Sequence, residues 1–357
     1  MKNISRKCFM TSVVCIVLGA ILLGAGYATG GLQDIKHQTA PKKVIQTVDH
    51  VTALDSDTNF STITVETGPV KKTTVTYYTH PKFIDPLEIK IENETLHISE
   101  KPRDVIITGG IELIGFGLNK SDRNHNYRTT TITLPKGTSL KEFTGSSMPQ
   151  ATISDLTIQD LEFSGGLTLL NTRIKKGKVF GTFDATDSLL ANLELKADYS
   201  LSSLTNSSLE NGTISLGHGQ LTTKNTNLKS VTIQSLSPGG VEAEETSLEN
   251  VTFTVTSEQE SEETNDNGAI FTAHALTLKG TNTISGGDVA VDITLTDPKT
   301  TDYKAKTEDG KISLGPLLTP AKIDKGTTSD NITYTANTEK ATGSLTVELN
   351  KGDIILK

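Results

Sequence analysis

Residues 190–253 read LANLELKADYSLSSLTNSSLENGTISLGHGQLTTKNTNLKSVTIQSLSPGGVEAEETSLENVTF and repeat one short frame. An apolar lead residue is followed three positions on by Gly or an apolar residue, and two positions further by another apolar residue. With two upstream copies, the frame occurs at Ile153-Leu156-Ile158, Ile174-Gly177-Val179, Leu190-Leu193-Leu195, Leu209-Gly212-Ile214, Leu228-Val231-Ile233 and Leu248-Val251-Phe253. The lead residues are 21, 16, 19, 19 and 20 positions apart. A period of about 20 residues predicts a stacked, solenoid-type fold.

Further positions of the repeat support this interpretation. Mostly apolar residues precede the lead residue by seven and five positions, as Phe183 and Ala185 do before Leu190. Asn tolerates turn geometry, and it recurs two positions after the lead residue at Asn192, Asn211 and Asn250. One rung is therefore predicted to contain a turn, a short strand, a second turn and a second short strand. Such rungs must stack on each other to be stable.

Bulk composition narrows the class of function. The chain has 357 residues and a formal net charge of −8, which argues against nucleic-acid binding because that requires clustered Lys and Arg. The only cysteines, Cys8 and Cys15, lie in the apolar N-terminal segment. The rest of the chain therefore has neither a disulfide nor a cysteine metal site. Trp is absent and aromatic residues make up 5%, so aliphatic side chains must fill the core.

The N-terminal segment has the composition of a membrane span. Residues 8–27 (CFMTSVVCIVLGAILLGAGY) carry no charge, and as a helix they would be about 30 Å long, which matches a bilayer core. Lys2, Arg6 and Lys7 precede them. The positive-inside rule then predicts a single-pass protein of the cell membrane with a cytoplasmic N-terminus and an extracellular C-terminal domain.

Two alternatives apply to the same segment. A cleaved signal peptide would use the small residues of Gly26-Tyr27-Ala28, although the apolar run is longer than a usual signal core. A lipoprotein signal ending at Cys15 is disfavoured, because Val14 is too bulky for that site.

The chain is predicted to divide into four parts. They are a cytoplasmic tip and transmembrane anchor (1–30), a stalk (31–45), an N-terminal β region (46–143) and β-solenoid repeats (144–357) with an acidic loop at 257–268 and C-terminal capping strands. Within the β region, Leu87–Ile91 and Leu96–Ile98 around Asn93-Glu94 predict a hairpin. The Gly-rich apolar stretch at 109–118 is open between a mobile loop, an edge strand and a membrane-proximal patch.

No catalytic, cofactor-binding or metal-binding residue is predicted. Asp55, Asp57, Asn59 and Glu66 imitate the spacing of a calcium loop, but Phe60 stands where that loop needs Gly, so a turn followed by a strand is preferred. His97 is predicted to lie on the polar face of a strand. His218, between two glycines at a rung turn, is a weak candidate for a site.

Enzyme motifs are also weak. The tripeptide Ser329-Asp330-Asn331 lacks the Ser-x-x-Lys nucleophile that would accompany it in a penicillin-binding protein. A β-helix enzyme acting on polysaccharides needs clustered carboxylates, and the repeats offer only Asp184, Asp187 and Asp198.

Four segments resemble the putative-adhesin β-strand-repeat family, a domain of unknown function in membrane-anchored envelope proteins of Gram-positive bacteria. They are Gly30-Gly31-Leu32 after the anchor, residues 96–99 (LHIS), residues 131–138 (TITLPKGT) and residues 343–354 (GSLTVELNKGDI). The resemblance covers residues 46–357 and implies surface exposure, but it carries over no catalytic residue.

These observations predict a mostly β protein, in which a single-span N-terminal transmembrane helix precedes a β-solenoid or β-helix-like repeat. The predicted function is that of a non-enzymatic cell-surface protein in envelope sensing or stress response. An adhesin for host or cell-wall polymers is the alternative, and a β-helix polysaccharide-active enzyme is the minor one. Predicted partners are the membrane through residues 8–27, envelope polymers, cationic peptides or membrane proteins, and not nucleic acid.

Overall fold

A computed structural model describes residues 2–59, 61–82, 84–101, 109–120, 127–256, 268–318, 320, 322–325, 332–336 and 341–357. Two compact units divide the chain. Unit 1 comprises Met1–Val44, Tyr77–Leu87 and Lys101–Thr129, and unit 2 comprises Ile45–Thr76, Glu88–Glu100 and Thr130–Lys357. The acidic loop, apart from Gly268, and the tripeptide at 329–331 lie outside the described residues.

The described helices are α1 (Lys2–Ala28), α2 (Gly31–Gln38), α3 (Gly110–Lys120) and the short 3-10 helix Pro298–Thr300. The described strands are β1 (Lys42–Val48), β2 (Ala53–Asp57), β3 (Thr62–Gly68), β4 (Thr73–Thr79), β5 (Leu87–Glu92), β6 (Thr95–Glu100), β7 (Thr129–Pro135), β8 (Ser139–Ser154), β9 (Thr157–Leu170), β10 (Arg173–Ile174), β11 (Gly177–Phe180), β12 (Phe183–Thr186), β13 (Leu189–Ala191), β14 (Leu193–Lys196), β15 (Leu201–Thr205), β16 (Ser208–Glu210), β17 (Thr213–Ser215), β18 (Gln220–Lys224), β19 (Asn227–Lys229), β20 (Thr232–Leu236), β21 (Gly240–Glu244), β22 (Ser247–Glu249), β23 (Thr252–Thr256), β24 (Ala269–Leu295), β25 (Thr301–Asp309), β26 (Ile312–Leu314), β27 (Lys322–Lys325), β28 (Ile332–Ala336), β29 (Gly343–Lys351) and β30 (Ile354–Leu356).

Helices α1, α2 and α3 belong to unit 1. Helix α1 contains a 20-residue segment of high mean hydropathy, Phe9–Ala28, and its length and composition fit a membrane span or a signal sequence. The stretch at 109–118 lies almost entirely in helix α3, so an edge strand is wrong there. Its glycines weaken the local helix signal, and contacts with α2 stabilise it instead.

Unit 2 is built from stacked rungs, and its mostly β, solenoid-type fold is confirmed. Each rung has three short strands, however, and the prediction of two was wrong. Face 1 consists of β10, β13, β16, β19 and β22; face 2 of β11, β14, β17, β20 and β23; face 3 of β12, β15, β18 and β21. A turn at Asn192, Asn211 or Asn250, each with positive φ, separates the lead residue on face 1 from the apolar pair on face 2.

The register of strand pairing aligns the buried residues of successive rungs into columns inside the solenoid. On face 1 each strand pairs in parallel with the strand of the next rung, and the lead residues are direct partners from Ile158 through Ile174, Leu190, Leu209 and Leu228 to Leu248. These side chains are all buried, which places the aliphatic repeat in the core. Parallel strands are about 4.8 Å apart, so each column is continuous.

The first predicted copy of the repeat is out of frame. Ile153 lies on face 3, where it pairs with Leu169, and the true lead residue is Ile158. The spacing from Ile158 to Ile174 is therefore 16 residues instead of the 21 counted from Ile153. Both positions are apolar and inward, so hydrophobic spacing alone does not distinguish them.

A polar column fixes the corner between faces 3 and 1. The residue three positions before each lead residue has positive φ, and it is Asp, Asn or Glu in six successive rungs: Asp155, Asn171, Asp187, Asn206, Asn225 and Glu245. Asn171 Nδ2 donates to Asp155 Oδ1 at 2.6 Å. A buried Ser or Thr follows at Thr172, Ser188, Ser207, Thr226 and Thr246. Ser188 Oγ, for example, accepts from the Thr172 amide at 3.1 Å, so the corner is stacked by hydrogen bonds.

The stack also extends upstream of the predicted repeats. Strand β2 pairs in parallel with both β6 and β8. The predicted boundary between residues 143 and 144 falls inside β8, and parallel pairing continues on both sides of it. Strands β5 and β6 flank Asn93 and Glu94, which both have positive φ, as the predicted hairpin turn requires.

The C-terminal strands complete the described part of unit 2. Strand β24 continues all three faces, and β29 and β30 pair with it in parallel. Strand β25 pairs with β29 in parallel, and β28 is antiparallel to β25 and β27. The parallel stack therefore ends in antiparallel strands.

We expect the substitution Tyr303→Phe to leave stability unchanged or to raise it by up to about 1 kcal/mol, because an unsatisfied buried hydroxyl costs free energy. Tyr303 is 3% exposed, and its hydroxyl has no hydrogen-bond partner among the described residues. Burial raises the pKa of this hydroxyl above its ordinary value. The parent should therefore lose stability relative to the variant above about pH 10, where the unfolded side chain ionises first. Urea unfolding at neutral and alkaline pH measures both effects, and a clear loss of stability in the variant at neutral pH would contradict them.

Candidate functional site

The corner between faces 2 and 3 lengthens along the solenoid. In the rung of Ile174, Phe183 follows Val179 by four positions. In the next three rungs the corresponding separation is seven, seven and eight positions, for Leu195 to Ser202, Ile214 to Leu221 and Ile233 to Val241. These residues keep their inward columns, so the additional residues form a projecting corner, which we call the long corner (residues 197–200, 216–219 and 236–239).

Backbone hydrogen bonds stack the long corner from rung to rung. The Gln220 amide donates to the Ser200 carbonyl at 3.1 Å, and the Gly240 amide donates to the Gly219 carbonyl at 3.1 Å. A Cβ at Gly219 would lie 2.4 Å from the Ala197 carbonyl oxygen, so this position requires glycine. The corner is therefore a fixed part of the solenoid and not a loose loop.

A groove of about 260 Å³ runs along the long corner. Its walls and floor include Tyr199, Leu201, His218, Gln220, Pro238 and Ile270. Tyr199 is 80% exposed and Leu201 is 70% exposed, so two large apolar side chains lie side by side on the surface. The centroids of the Tyr199 and His218 rings are 4.9 Å apart at an angle of 37°. The groove thus presents an aromatic and aliphatic surface to solvent, which we call the Tyr199 groove.

Backbone strain and an unused hydroxyl occur in the same groove. Tyr199 has a φ of 57°, in the left-handed region that non-glycine residues seldom occupy. Strained residues concentrate at functional sites. The Oγ of Ser200 is buried and has no hydrogen-bond partner among the described residues. The groove therefore combines an exposed apolar surface with a strained backbone.

The three aspartates considered for an enzyme occupy separate positions. Asp184 lies in β12, where its Oδ1 accepts from Ser203 Oγ at 2.5 Å. Asp187 is in the turn between faces 3 and 1, with a φ of 53°. Asp198 is in the long corner beside Gly217. The described fold thus does not give the three residues one shared environment.

The calcium-like spacing also falls on regular structure. Asp55 and Asp57 lie in strand β2 instead of a loop. Asp55 Oδ2 is 2.9 Å from His97 Nδ1 on the neighbouring strand β6. His97 is half-buried between two buried residues, so its predicted place on the polar face of a strand is confirmed. Among the described residues, no group of three or more His, Cys, Asp or Glu side chains is placed to hold a metal ion.

A larger cleft of about 400 Å³ lies among β23, β24, β25 and β29. Its charged groups already have partners, since Lys306 Nζ donates to Glu308 Oε1 at 3.0 Å and Glu348 pairs with Lys304. No aromatic side chain lines it. The Tyr199 groove is therefore the better candidate for ligand binding.

Sequence reasoning found one residue of this groove and missed the others. His218 was a weak candidate, and the structure places its ring against Tyr199. Tyr199, Leu201 and Ile270 were not identified. The available signal was the change in spacing from 16 to 19 residues, which marks the rung where the long corner begins.

Comparison with known proteins is informative at the family level. The family model described as Toastrack DUF4097 matches residues 51–357. Among solved structures, a putative cell adhesion protein from Clostridium sporogenes is similar at 12% sequence identity over 89% of this chain and 99% of that chain, with a TM-score of 0.19. At that TM-score the similarity says nothing about function. No curated protein matches the chain.

Proposed function

The chain belongs to the Toastrack DUF4097 family, a domain of unknown function, and from this premise we propose that it is a non-enzymatic cell-surface protein that binds extracellular polymers through its solenoid. The Tyr199 groove carries the proposal. Anchoring by α1, with unit 2 on the outer side of the membrane, completes it. The predicted orientation leaves the solenoid in contact with the polymers outside the cell.

The chemistry of the groove favours a carbohydrate. A sugar ring has an apolar face of C–H groups that can stack on an exposed aromatic ring, and hydroxyls that need hydrogen-bond partners. Tyr199 offers the ring, Leu201 extends the apolar surface, and the amide of the Gln220 side chain offers polar groups. The ligand class that fits is a polysaccharide of the envelope or of a host surface.

We expect Tyr199→Ala to weaken binding of the full-length protein, in detergent or nanodiscs, to purified cell-wall polysaccharide by about tenfold or more. Loss of a central aromatic anchor typically costs 2 kcal/mol or more, and 1.4 kcal/mol corresponds to about tenfold in affinity. A sedimentation assay with insoluble wall material measures the bound fraction.

Phe180→Ala is the matched control for that experiment. Phe180 is also a partly exposed aromatic residue, but it lies in β11, outside the long corner. The Lys196 ammonium lies over the Phe180 ring, 5.3 Å from the ring centroid. The Phe180→Ala variant should bind as the parent does. If Tyr199→Ala also binds as the parent does, polymer binding through this groove is wrong.

Envelope sensing is a second proposal, and α1 is the observation that favours it, because a membrane helix could transmit a signal to membrane partners. A host-cell binding assay and expression under cell-wall antibiotics separate the two proposals. Adhesion requires binding that depends on Tyr199, whereas sensing requires an altered antibiotic response when the gene is deleted.

A further inference from the structure

Helix α2 begins directly after the apolar helix α1. The Thr29 amide donates to the Ala25 carbonyl at 3.0 Å, and Gly30 turns the chain with a φ of 86°. Three peptide units separate Ala28 from Gly31, which allows at most about 11 Å between their Cα atoms. If α1 spans the membrane, α2 must therefore lie at the membrane surface.

Helix α3 is fastened to α2 by a buried asparagine. Asn119 is 4% exposed, and its Nδ2 lies 3.2 Å from the Lys36 carbonyl oxygen and 3.0 Å from Thr39 Oγ1. Gly115 faces Thr39 so closely that a Cβ there would lie 2.2 Å from Thr39 Oγ1. Helix α3 is therefore held against the C-terminal end of α2, an eight-residue helix whose other end follows α1.

Three large aliphatic side chains of α3 are largely exposed among the described residues. Ile111 is 63% exposed, Leu113 is 56% exposed and Ile114 is 46% exposed. Tyr27, at the end of α1, is 73% exposed, and tyrosine concentrates at membrane–water interfaces. A water-exposed helix seldom presents three neighbouring large aliphatic residues.

We propose that α3 lies in the outer interface of the membrane and buries Ile111, Leu113 and Ile114 among lipid chains. Continuity with α1 selects lipid as the occupant, because the chain holds this apolar surface at the level where headgroups meet acyl chains. Interfacial helices bind membranes in this way, with affinity that grows with the buried apolar area. The inference rests on the retention of α1 as the anchor in the proposed function.

Fluorescence of the full-length protein in phosphatidylcholine–phosphatidylglycerol vesicles tests the proposal. Cys8 and Cys15 are replaced by serine, and single cysteines are introduced by Leu113→Cys, Gly19→Cys and Thr213→Cys for labelling with an environment-sensitive nitrobenzoxadiazole (NBD) dye. Gly19 lies in α1 with no atom within 4 Å of an added Cβ, and Thr213 is an exposed residue of β17. The label at position 113 should emit at shorter wavelength than the label at 213, and lipids with a nitroxide near the headgroup should quench it. The label at position 19, at the middle of the span, is read with lipids that carry the nitroxide near the end of the acyl chain.

The three positions distinguish the possible failures. Quenching at 19 and 113 but not at 213 supports the inference. Quenching at 19 with water-like emission at 113 overturns it while the anchor stands. Absence of quenching at 19 overturns the anchor and the inference together.

A second variant tests Leu113 directly, with the label attached at position 114 through Ile114→Cys. Adding Leu113→Glu to that labelled protein should reduce the quenching of the label by lipid. Equal quenching with and without Leu113→Glu would contradict lipid contact by Leu113.

Discussion

The substitution Leu228→Asp should unfold the solenoid. Leu228 is 1% exposed and stands between Leu209 and Leu248 in the inward column of face 1. A carboxylate there would be buried among aliphatic side chains with no cation or donor to pair with, which costs at least about 4 kcal/mol. Because folded domains are stable by only about 5–15 kcal/mol and rungs support each other, we expect cooperative loss of the folded state or a large fall in its melting temperature.

Asn227→Asp provides the matched control. Asn227 is the exposed neighbour of Leu228 in the same strand, and its backbone amide donates to the Ser207 carbonyl of the preceding rung at 3.0 Å. The control adds the same carboxylate on the outer side, so its melting curve by circular dichroism should follow the parent. Similar curves for both variants would show that position 228 does not face inward.

The second large effect is expected for Gly181→Ala. Gly181 has a φ of 127°, and an added Cβ would lie 2.3 Å from the Gly165 carbonyl oxygen of the preceding rung. Neither backbone can retreat easily, since the Gly181 amide donates to the Lys196 carbonyl at 2.8 Å on the other side. Strain and collision together should lower the free energy of unfolding by about 3 kcal/mol or more.

Gly212→Ala tests whether backbone geometry causes that loss. Gly212 has no positive φ, and a Cβ there would meet only the flexible end of the Leu209 side chain, at 3.0 Å. Urea unfolding should show a loss of only about 1 kcal/mol, at the low end of the cost of overpacking a core, because a side chain and not a backbone has to move. Equal losses at positions 181 and 212 would contradict a special role for the glycine conformation.

Hydrophobic periodicity predicted the inward columns but not the number of strands in each rung. The lead residues from Ile174 to Leu248 occupy the positions that the repeat indicated. The third strand was hidden because a single residue in left-handed conformation, such as Asn192, bends the chain within a six-residue frame. From Asn171 to Glu245 the polar corner column follows a pattern of Asn, Asp or Glu before Ser or Thr, and it was not predicted because these residue types are also common in ordinary turns.

Helix α3 and the Tyr199 groove could not be predicted from the local sequence, for different reasons. The helix depends on the contact of Asn119 with α2, which no local propensity encodes. The groove depends on the number of residues between the inward residues of faces 2 and 3. The sequence therefore encodes it as a longer segment and not as a particular residue type. The residue type of Tyr199, in a segment of variable length, does not by itself distinguish it from an ordinary turn residue.

The long corner has an evolutionary consequence. Residues can be gained or lost between faces 2 and 3 while the columns on both faces keep their partners, as the rungs of Ile174 and Leu190 show. A change in the length of this corner can therefore leave the buried columns in register, and selection can alter what the protein recognises without rebuilding its core. Lineages of such solenoids should diverge first in the length and side chains of this corner, and last in the aliphatic columns beneath it.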